Sequence, residues 1–175
     1  MKTSITKTFQ VNQTIDQVWA NLSDPEKVVV CVPGASLTEK VDNDNYKGNV
    51  ELKFGPVKAN YDGLITFTER NSKNFKMSLK GVGTDSKGKG GAEMLMNGDL
   101  KKLDTGTEVI VQMDVNISGM LAQFGSRLIN DVTNHVFDKF ISNFKAQLEG
   151  NEVDNTLKAG SVMGTVIKGI FSKKK

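Results

Sequence analysis

The sequence predicts an α+β fold in which a curved antiparallel sheet of six to seven strands packs against one long C-terminal helix. Residues 36–117 alternate apolar and polar side chains in short runs that are separated by turn residues, which is typical of antiparallel strands. Residues 118–148 contain no proline and place apolar residues every three or four positions, which predicts a helix with one apolar stripe. Each element has one apolar face, so the two are expected to bury these faces against each other.

Two short helices are predicted between the first strand and the rest of the sheet. Residues 3–11 alternate and indicate a strand. Residues 13–22 then carry Ile15, Val18, Trp19 and Leu22 at helical spacing. Asp24 and Pro25 follow as the N-cap and first position of a second short helix, which ends before the turn pair Pro33-Gly34.

The main β region divides into strands at about residues 36–41, 46–54, 57–68, 75–83, 92–100 and 109–117. Glycines recur on its apolar face: Gly48, Gly63, Gly81, Gly83 and Gly98. They mark bends or bulges of a curved sheet, or they leave volume unfilled beneath the helix. Methionines, which adapt to irregular apolar space, share that face and make an apolar pocket between helix and sheet a reasonable expectation.

The long helix is expected to begin with Ser118 as its N-cap and to end near Gly150. Its stripe winds around the helix, because a four-residue step does not match the 3.6-residue turn. We predict that the ligand-binding residues come from this stripe and from the apolar face of the sheet. They are Tyr61, Met77, Met94, Met96, Met113, Phe124, Leu128 and Val132. Tyr61 is the residue among them whose hydroxyl can bond to a carbonyl ligand.

Charge and composition exclude several classes of function. The net charge of +3 lies in residues 151–175, so the body is neutral and nucleic-acid binding is not expected. His135 is the single histidine and Cys31 the single cysteine, so we expect no catalytic residues, no metal site and no cofactor. One cysteine and an N-terminal segment without the apolar core of a signal peptide favour a cytoplasmic protein.

The sequence predicts two regions, a folded domain at 1–150 and a basic amphipathic tail at 151–175. The tail is too short and too rich in glycine to span a bilayer, but it can lie in the membrane interface with its lysines against anionic lipid. Packing on a partner or on the body is the alternative. The predicted membrane-binding residues are Val162, Met163, Val166, Ile167, Lys168, Ile170, Phe171, Lys173, Lys174 and Lys175.

The order and spacing of several short motifs resemble the CoxG-like family, named after the CoxG subunit of carbon monoxide dehydrogenase, in the SRPBCC, or START-like, superfamily. The motifs are VW at 18–19, Leu22 with Asp24-Pro25, CVPGA at 31–35, YKG at 46–48, GPV at 55–57, Gly63 within YDGLI, GVGTDSKGKG at 81–90, GT at 106–107 and SGMLAQFGSRLI at 118–129. The resemblance covers about residues 1–150 and implies a helix-grip fold with an apolar cavity. This tail departs from it, because it lacks the long Pro/Ala-rich linker of many members.

What the resemblance implies is a non-enzymatic protein that binds a quinone, such as menaquinone, or an isoprenoid lipid. It would assist a molybdenum hydroxylase such as carbon monoxide dehydrogenase, from a cytoplasmic position at the inner face of the cell membrane. The alternative is a membrane-recruitment adaptor or maturation factor for that enzyme, with an incidental pocket. An enzyme of the cyclase or hydratase kind is the least favoured expectation, because fold alone does not determine function.

Overall fold

Seven antiparallel strands form a single sheet in the computed structural model, which describes residues 1–153. The strand order is β1-β7-β6-β5-β4-β3-β2, so that β2 to β7 form a meander and β1 adds beside the last strand. The strands are β1 (Lys2–Val11), β2 (Ala35–Lys40), β3 (Asn45–Phe54), β4 (Val57–Asn71), β5 (Lys76–Asp85), β6 (Gly91–Leu103) and β7 (Gly106–Ile117). The predicted fold class and the upper predicted strand number are confirmed.

Helices α1 (Ile15–Leu22) and α2 (Pro25–Val29) connect the two edge strands of the sheet. Thr14 and Gln17 form a capping box at the start of α1, with each side chain bonded to the other residue's backbone amide. Asp24 caps α2 by accepting a hydrogen bond from the amide of Glu26 at 3.0 Å, and Pro25 occupies the first helical turn, as predicted.

Glycines allow the sheet to curve strongly at β3 and β4. Gly48 and Gly63 lie directly opposite each other. A Cβ at Gly48 would approach the carbonyl oxygen of Ser36 to 2.7 Å, and one at Gly63 would approach the carbonyl oxygen of Val82 to 2.9 Å. Neighbouring backbone therefore occupies the space that side chains would need. At these two positions the bend of the sheet accounts for the glycine.

The long helix α3 is shorter than the sequence indicated, because it spans Gly125–Leu148 and does not begin at Ser118. Gly119 and Gly125 adopt φ values of +83° and +84°, which interrupt the helix, and the 3-10 turn Leu121–Phe124 lies between them. Ser118 is not the N-cap, because its hydroxyl instead accepts a hydrogen bond from the amide of Gly91. With 24 residues α3 is about 36 Å long.

The C-terminal end of α3 is capped at Gly150, as the sequence predicted. Gly150 adopts a φ of +76° and donates to the carbonyl of Gln147, and Asn151 donates to the carbonyl of Ala146. These two bonds form a Schellman motif. The same end is fixed to the α2–β2 connection, because Asn143 Nδ2 donates to the carbonyl of Cys31 at 3.0 Å.

Candidate functional site

The apolar interior between the sheet and α3 divides into two clusters. Cluster A joins the C-terminal half of α3 to β1, β6 and β7, and its members are Phe9, Val11, Val18, Cys31, Leu100, Val109, Val111, Phe137 and Phe144. Cluster B joins the N-terminal part of α3 and the preceding 3-10 turn to β4 and β7, and its members are Val57, Tyr61, Ile117, Leu121, Ile129 and Val132. Both ends of α3 are therefore packed against the sheet.

Between the two clusters the inner face of the sheet is buried at Tyr46 and Phe67 but only half-buried at four further apolar residues. Ile65, Met77, Leu79 and Met94 point to this face, and within residues 1–153 none of them packs against either cluster. The side chains of Met77 and Met94 cover glycines instead. A Cβ at Gly98 would meet Met77 Cγ at 3.3 Å, and one at Gly81 would meet Met94 Cε at 3.2 Å. Two flexible thioether side chains therefore line this part of the interior, and they can move aside.

The predicted ligand-binding residues are distributed along this interior and do not form one compact group. Tyr61, Leu128 and Val132 meet in cluster B, whereas Met96 and Met113 pack against cluster A. Met77 and Met94 lie between the clusters. Phe124 is 40% exposed and lies outside both clusters, on the turn before α3. Their role in ligand binding stays a prediction.

Tyr61 brings a hydroxyl to the solvent-facing side of this interior. Its side chain is largely buried, but its hydroxyl oxygen touches solvent, and no hydrogen bond joins it to another described residue. Burial raises the pKa of the Tyr61 hydroxyl, and the carboxylate of Asp85, its direct neighbour on β5, raises it further. Near neutral pH Tyr61 is therefore a neutral phenol that can donate a hydrogen bond. The sequence did not predict Asp85 as its neighbour.

A crevice of about 430 Å³ opens beside cluster B, where the β3–β4 and β5–β6 hairpins approach the turn before α3. Its lining combines apolar side chains with four lysines and two carboxylates. The lining residues are Glu51, Leu52, Lys53, Pro56, Lys58, Ala59, Asn60, Asp85, Ser86, Lys87, Lys89, Met120, Leu121 and Phe124. Only Phe124 among them was predicted as a ligand-binding residue.

The crevice and the predicted interior site share wall residues. Leu121 and Ala59 line the crevice and also belong to or pack against cluster B, which contains Tyr61. Asp85 lines the crevice and faces Tyr61 across the β4–β5 pair. A molecule in the crevice would therefore lie close to the Tyr61 side of the interior.

The lysines of the crevice were missed in the sequence because they belong to turns that are far apart in the chain. In a meander every second turn lies at the same end of the strands, and β7 also finishes at that end. The signal was therefore present as lysines at the ends of two alternate hairpins, together with the exposed residues that follow β7.

A second, open depression of about 550 Å³ lies between α2 and β2, and no predicted site residue lines it.

The groups that could suggest other chemistry are placed as follows. His135 is exposed and lies against the ring of Phe54, with 5.0 Å between the ring centroids. Cys31 is fully buried, and burial raises the pKa of its thiol from 9.0 to about 11. Within residues 1–153 no group of three His, Cys, Asp or Glu side chains could hold a metal ion.

The predicted membrane-binding residues, from Val162 to Lys175, lie outside the described residues. In the part of the chain that the structure describes, no helix has the length and apolar character required to cross a bilayer. The proposed role of the tail therefore stays a prediction.

Comparison with known proteins supports the resemblance noted in the sequence. The model of the family described as the CoxG subunit of carbon monoxide dehydrogenase matches residues 8–149. No curated protein sequence matches the chain. A conserved protein from Geobacillus kaustophilus superposes with a TM-score of 0.76 at 22% identity, over 86% of this chain and 96% of its own.

Two further structures are similar at lower identity. The ZhuI aromatase/cyclase from Streptomyces sp. R1128 has a TM-score of 0.63 at 11% identity, over 85% of this chain and 94% of its own. A START superfamily protein from Mycobacterium smegmatis has a TM-score of 0.57 at 9% identity, over 84% of this chain and 97% of its own. At these identities the likeness shows the fold, which is the START-like helix-grip fold.

Proposed function

Because this chain belongs to the CoxG family of carbon monoxide dehydrogenase subunits, we propose that it is a non-enzymatic carrier of an apolar carbonyl ligand, a quinone such as menaquinone or a related isoprenoid lipid. In this proposal it serves a molybdenum hydroxylase such as carbon monoxide dehydrogenase at the membrane surface. The observation that carries the proposal is the half-buried inner face between clusters A and B, which adjoins the crevice beside Tyr61.

The lining of that face suits a flat apolar ring better than a polar substrate. Ile65, Leu79, Met77 and Met94 offer apolar and flexible contacts, and the methionines can move off Gly98 and Gly81 when a ligand enters. Ligand sites of this kind are mostly apolar, with a few polar groups that fix orientation. Tyr61 is the polar group at the crevice side of the face.

Tyr61 is suited to hold a quinone carbonyl by donating a hydrogen bond. Its raised pKa keeps the phenol protonated, and its hydroxyl has no competing partner within residues 1–153. The same raised pKa argues against proton-transfer chemistry, because a weaker acid releases its proton less readily at neutral pH. The pair of Tyr61 and Asp85 therefore favours binding over catalysis.

The test is a thermal-shift titration of the full chain with a short-chain menaquinone, supported by native mass spectrometry of the purified protein. A ligand that binds the native state must raise the melting temperature. Tyr61→Phe should reduce the shift, because it removes the donor and little volume. Tyr46→Phe is the matched control, because Tyr46 lies on the same inner face opposite Ile65, but its hydroxyl is already bonded to the carbonyl of Asn43 at 3.1 Å and is not free for a ligand.

Two results would contradict the proposal. One is an unchanged melting temperature at saturating menaquinone together with no lipid retained on purification. The other is an equal loss of the shift in both tyrosine variants, which would mean that the reduction does not come from the site.

An adaptor function is favoured by a different observation, on the outer face of the sheet. Leu64, Val82 and Leu95 lie on three adjacent strands and are 38%, 43% and 54% exposed. Leu64 and Val82 are direct cross-strand partners. An exposed apolar group of this kind can mark a protein contact.

Capture of a purified molybdenum hydroxylase by the full chain separates the two functions. An adaptor that uses this face should lose its partner in Leu95→Glu but keep it in Val41→Glu, because Val41 is equally apolar and 48% exposed at a distant turn. If both variants still capture the hydroxylase, the outer face of the sheet does not bind it.

A further inference from the structure

The crevice end of the body presents apolar side chains to solvent. Met120 is 51% exposed and Phe124 is 40% exposed, and both line the crevice beside the buried Leu121. They lie at the turn between β7 and α3, where Gly119 and Gly125 hold the chain at positive φ. Two large apolar side chains are thus held outside the core at one edge of the molecule.

Four lysines surround these apolar residues. Lys53 and Lys58 come from the β3–β4 hairpin, and Lys87 and Lys89 come from the β5–β6 hairpin. All four are exposed, and within residues 1–153 none of them forms an ion pair with a carboxylate. We name this surface the basic end, formed by Lys53, Lys58, Lys87, Lys89, Met120 and Phe124.

The arrangement of the lysines is unfavourable without a counter-charge. Lys53 and Lys58 are direct cross-strand partners, and like charges in such a pair repel each other. The lining of the crevice has two carboxylates for four lysines, and neither carboxylate forms an ion pair with one of them. Asp85 accepts a hydrogen bond from the amide of Lys87 at 2.7 Å and faces Tyr61, and Glu51 accepts one from Asn60. An external anionic surface would relieve this repulsion.

We propose that the basic end is a docking surface for a membrane that contains anionic lipid. Its lysines contact the lipid headgroups while Met120 and Phe124 enter the headgroup region, which brings the mouth of the crevice to the bilayer. Exposed apolar residues flanked by lysines are the combination that interfacial binding uses. This inference rests on the proposed function for its purpose, but it concerns the folded body and is separate from the tail.

The first test is flotation of the full chain with vesicles of phosphatidylcholine alone or of phosphatidylcholine with phosphatidylglycerol, without any quinone. Replacing Lys53, Lys58, Lys87 and Lys89 together by Gln should weaken binding to the anionic vesicles by up to about 600-fold, since each of the four contacting lysines contributes about fivefold. The control replaces Lys73, Lys80, Lys101 and Lys102 by Gln, which changes the net charge equally at exposed positions elsewhere. It should bind nearly as the parent protein does.

The second test reports which part of the surface enters the membrane. Cys31 is buried with a raised pKa, so a cysteine introduced by Met120→Cys is selectively labelled with an environment-sensitive dye. Its emission should rise and shift to the blue on anionic vesicles. The same label introduced by Val41→Cys, in the β2–β3 turn at the opposite end of the strands, should not respond.

Equal vesicle binding by the two four-lysine variants would overturn the inference, as would a dye at position 120 that stays in water while the protein floats. The inference would also be overturned if the variant with Lys53, Lys58, Lys87 and Lys89 replaced by Gln lost binding to an acidic protein partner but kept its vesicle binding. Menaquinone binding is measured without vesicles, so failure of docking and failure of the proposed ligand are distinguishable.

Discussion

Gly63 is the residue whose lack of a side chain matters most to the shape of the sheet. A Cβ there would come within 2.9 Å of the carbonyl oxygen of Val82, which is backbone of the next strand and cannot move alone. Gly83, its direct partner on β5, would place a Cβ at 3.5 Å from Tyr61 Cβ, an ordinary contact. A methyl group at Gly63 should therefore lower the stability of the fold more than a methyl group at Gly83.

We expect Gly63→Ala to lower the free energy of unfolding by about 1–3 kcal/mol, because the strand pair must shift to accept the methyl group. Gly83→Ala should change it by much less. Urea denaturation of both variants measures the difference. Equal losses would show that the curvature does not depend on Gly63.

Cys31 provides a prediction about pH. Burial raises the pKa of its thiol from 9.0 to about 11, so at pH 8 the native chain should react with a disulfide reagent about a hundredfold more slowly than the unfolded chain. Below pH 9 the thiol is neutral in both states and leaves stability unchanged. Between pH 9 and 11 only the unfolded chain ionises it, so its contribution destabilises the fold as pH rises. Comparable thiol reactivity with and without guanidinium would contradict this.

At the scale of the element, the end of α3 was predictable and its start was not. Gly150 followed the last periodic residue, which is a reliable position for a helix C-cap. The start was misjudged because Leu121 and Phe124 continue the apolar spacing of the helix, although Gly119 and Gly125 adopt positive φ and interrupt it. Side-chain periodicity does not report backbone dihedral angles.

Gly150 offers a test of that cap that involves no side-chain packing. A Cβ there would meet nothing within 4 Å, so Gly150→Ala changes only the cost of the left-handed conformation. We expect a loss of about 1 kcal/mol in the free energy of unfolding. Gly150→Asn, which tolerates this conformation better, should lose less. Calorimetric melting of the two variants provides the measurement, and an unaffected alanine variant would argue against the Schellman motif.

At the scale of the whole molecule, the connection from β1 to β2 must cross the sheet, and Arg70 helps to fix it. Its guanidinium donates to the carbonyls of Ser23 and Asn43 and pairs with Asp44 at 2.8 Å. One side chain on β4 thus binds both the end of α1 and the β2–β3 turn. Lysine lacks the planar set of donors that this requires.

Arg70→Lys should therefore lower the free energy of unfolding by about 1–3 kcal/mol in urea denaturation, since several hydrogen bonds are lost together. Arg127→Lys is the control, because Arg127 is exposed on the first turns of α3 and makes no ion pair within residues 1–153. A loss of the same size in both would mean that the network of Arg70 contributes little.

The sequence predicted the architecture because alternation, turn residues and the long apolar stripe all depend on neighbours in the chain. It also identified Tyr61 and the methionines as inner-face residues, since a strand fixes which side chains share a face. It did not predict the crevice, because the two hairpins and the turn before α3 are far apart in the chain and meet only once the strand order of the sheet is known. The Asp85 partner of Tyr61 required the register of β4 and β5.

The exposure of Met120 has a consequence for how the protein responds to oxidants. Its thioether lies half in solvent at the mouth of the crevice, whereas those of Met77 and Met94 are turned inward over glycines. Peroxide would therefore convert Met120 to the sulfoxide before Met77 and Met94, and a polar sulfoxide no longer favours a lipid environment. Mild oxidation would then weaken attachment of the body to a bilayer before it alters the interior.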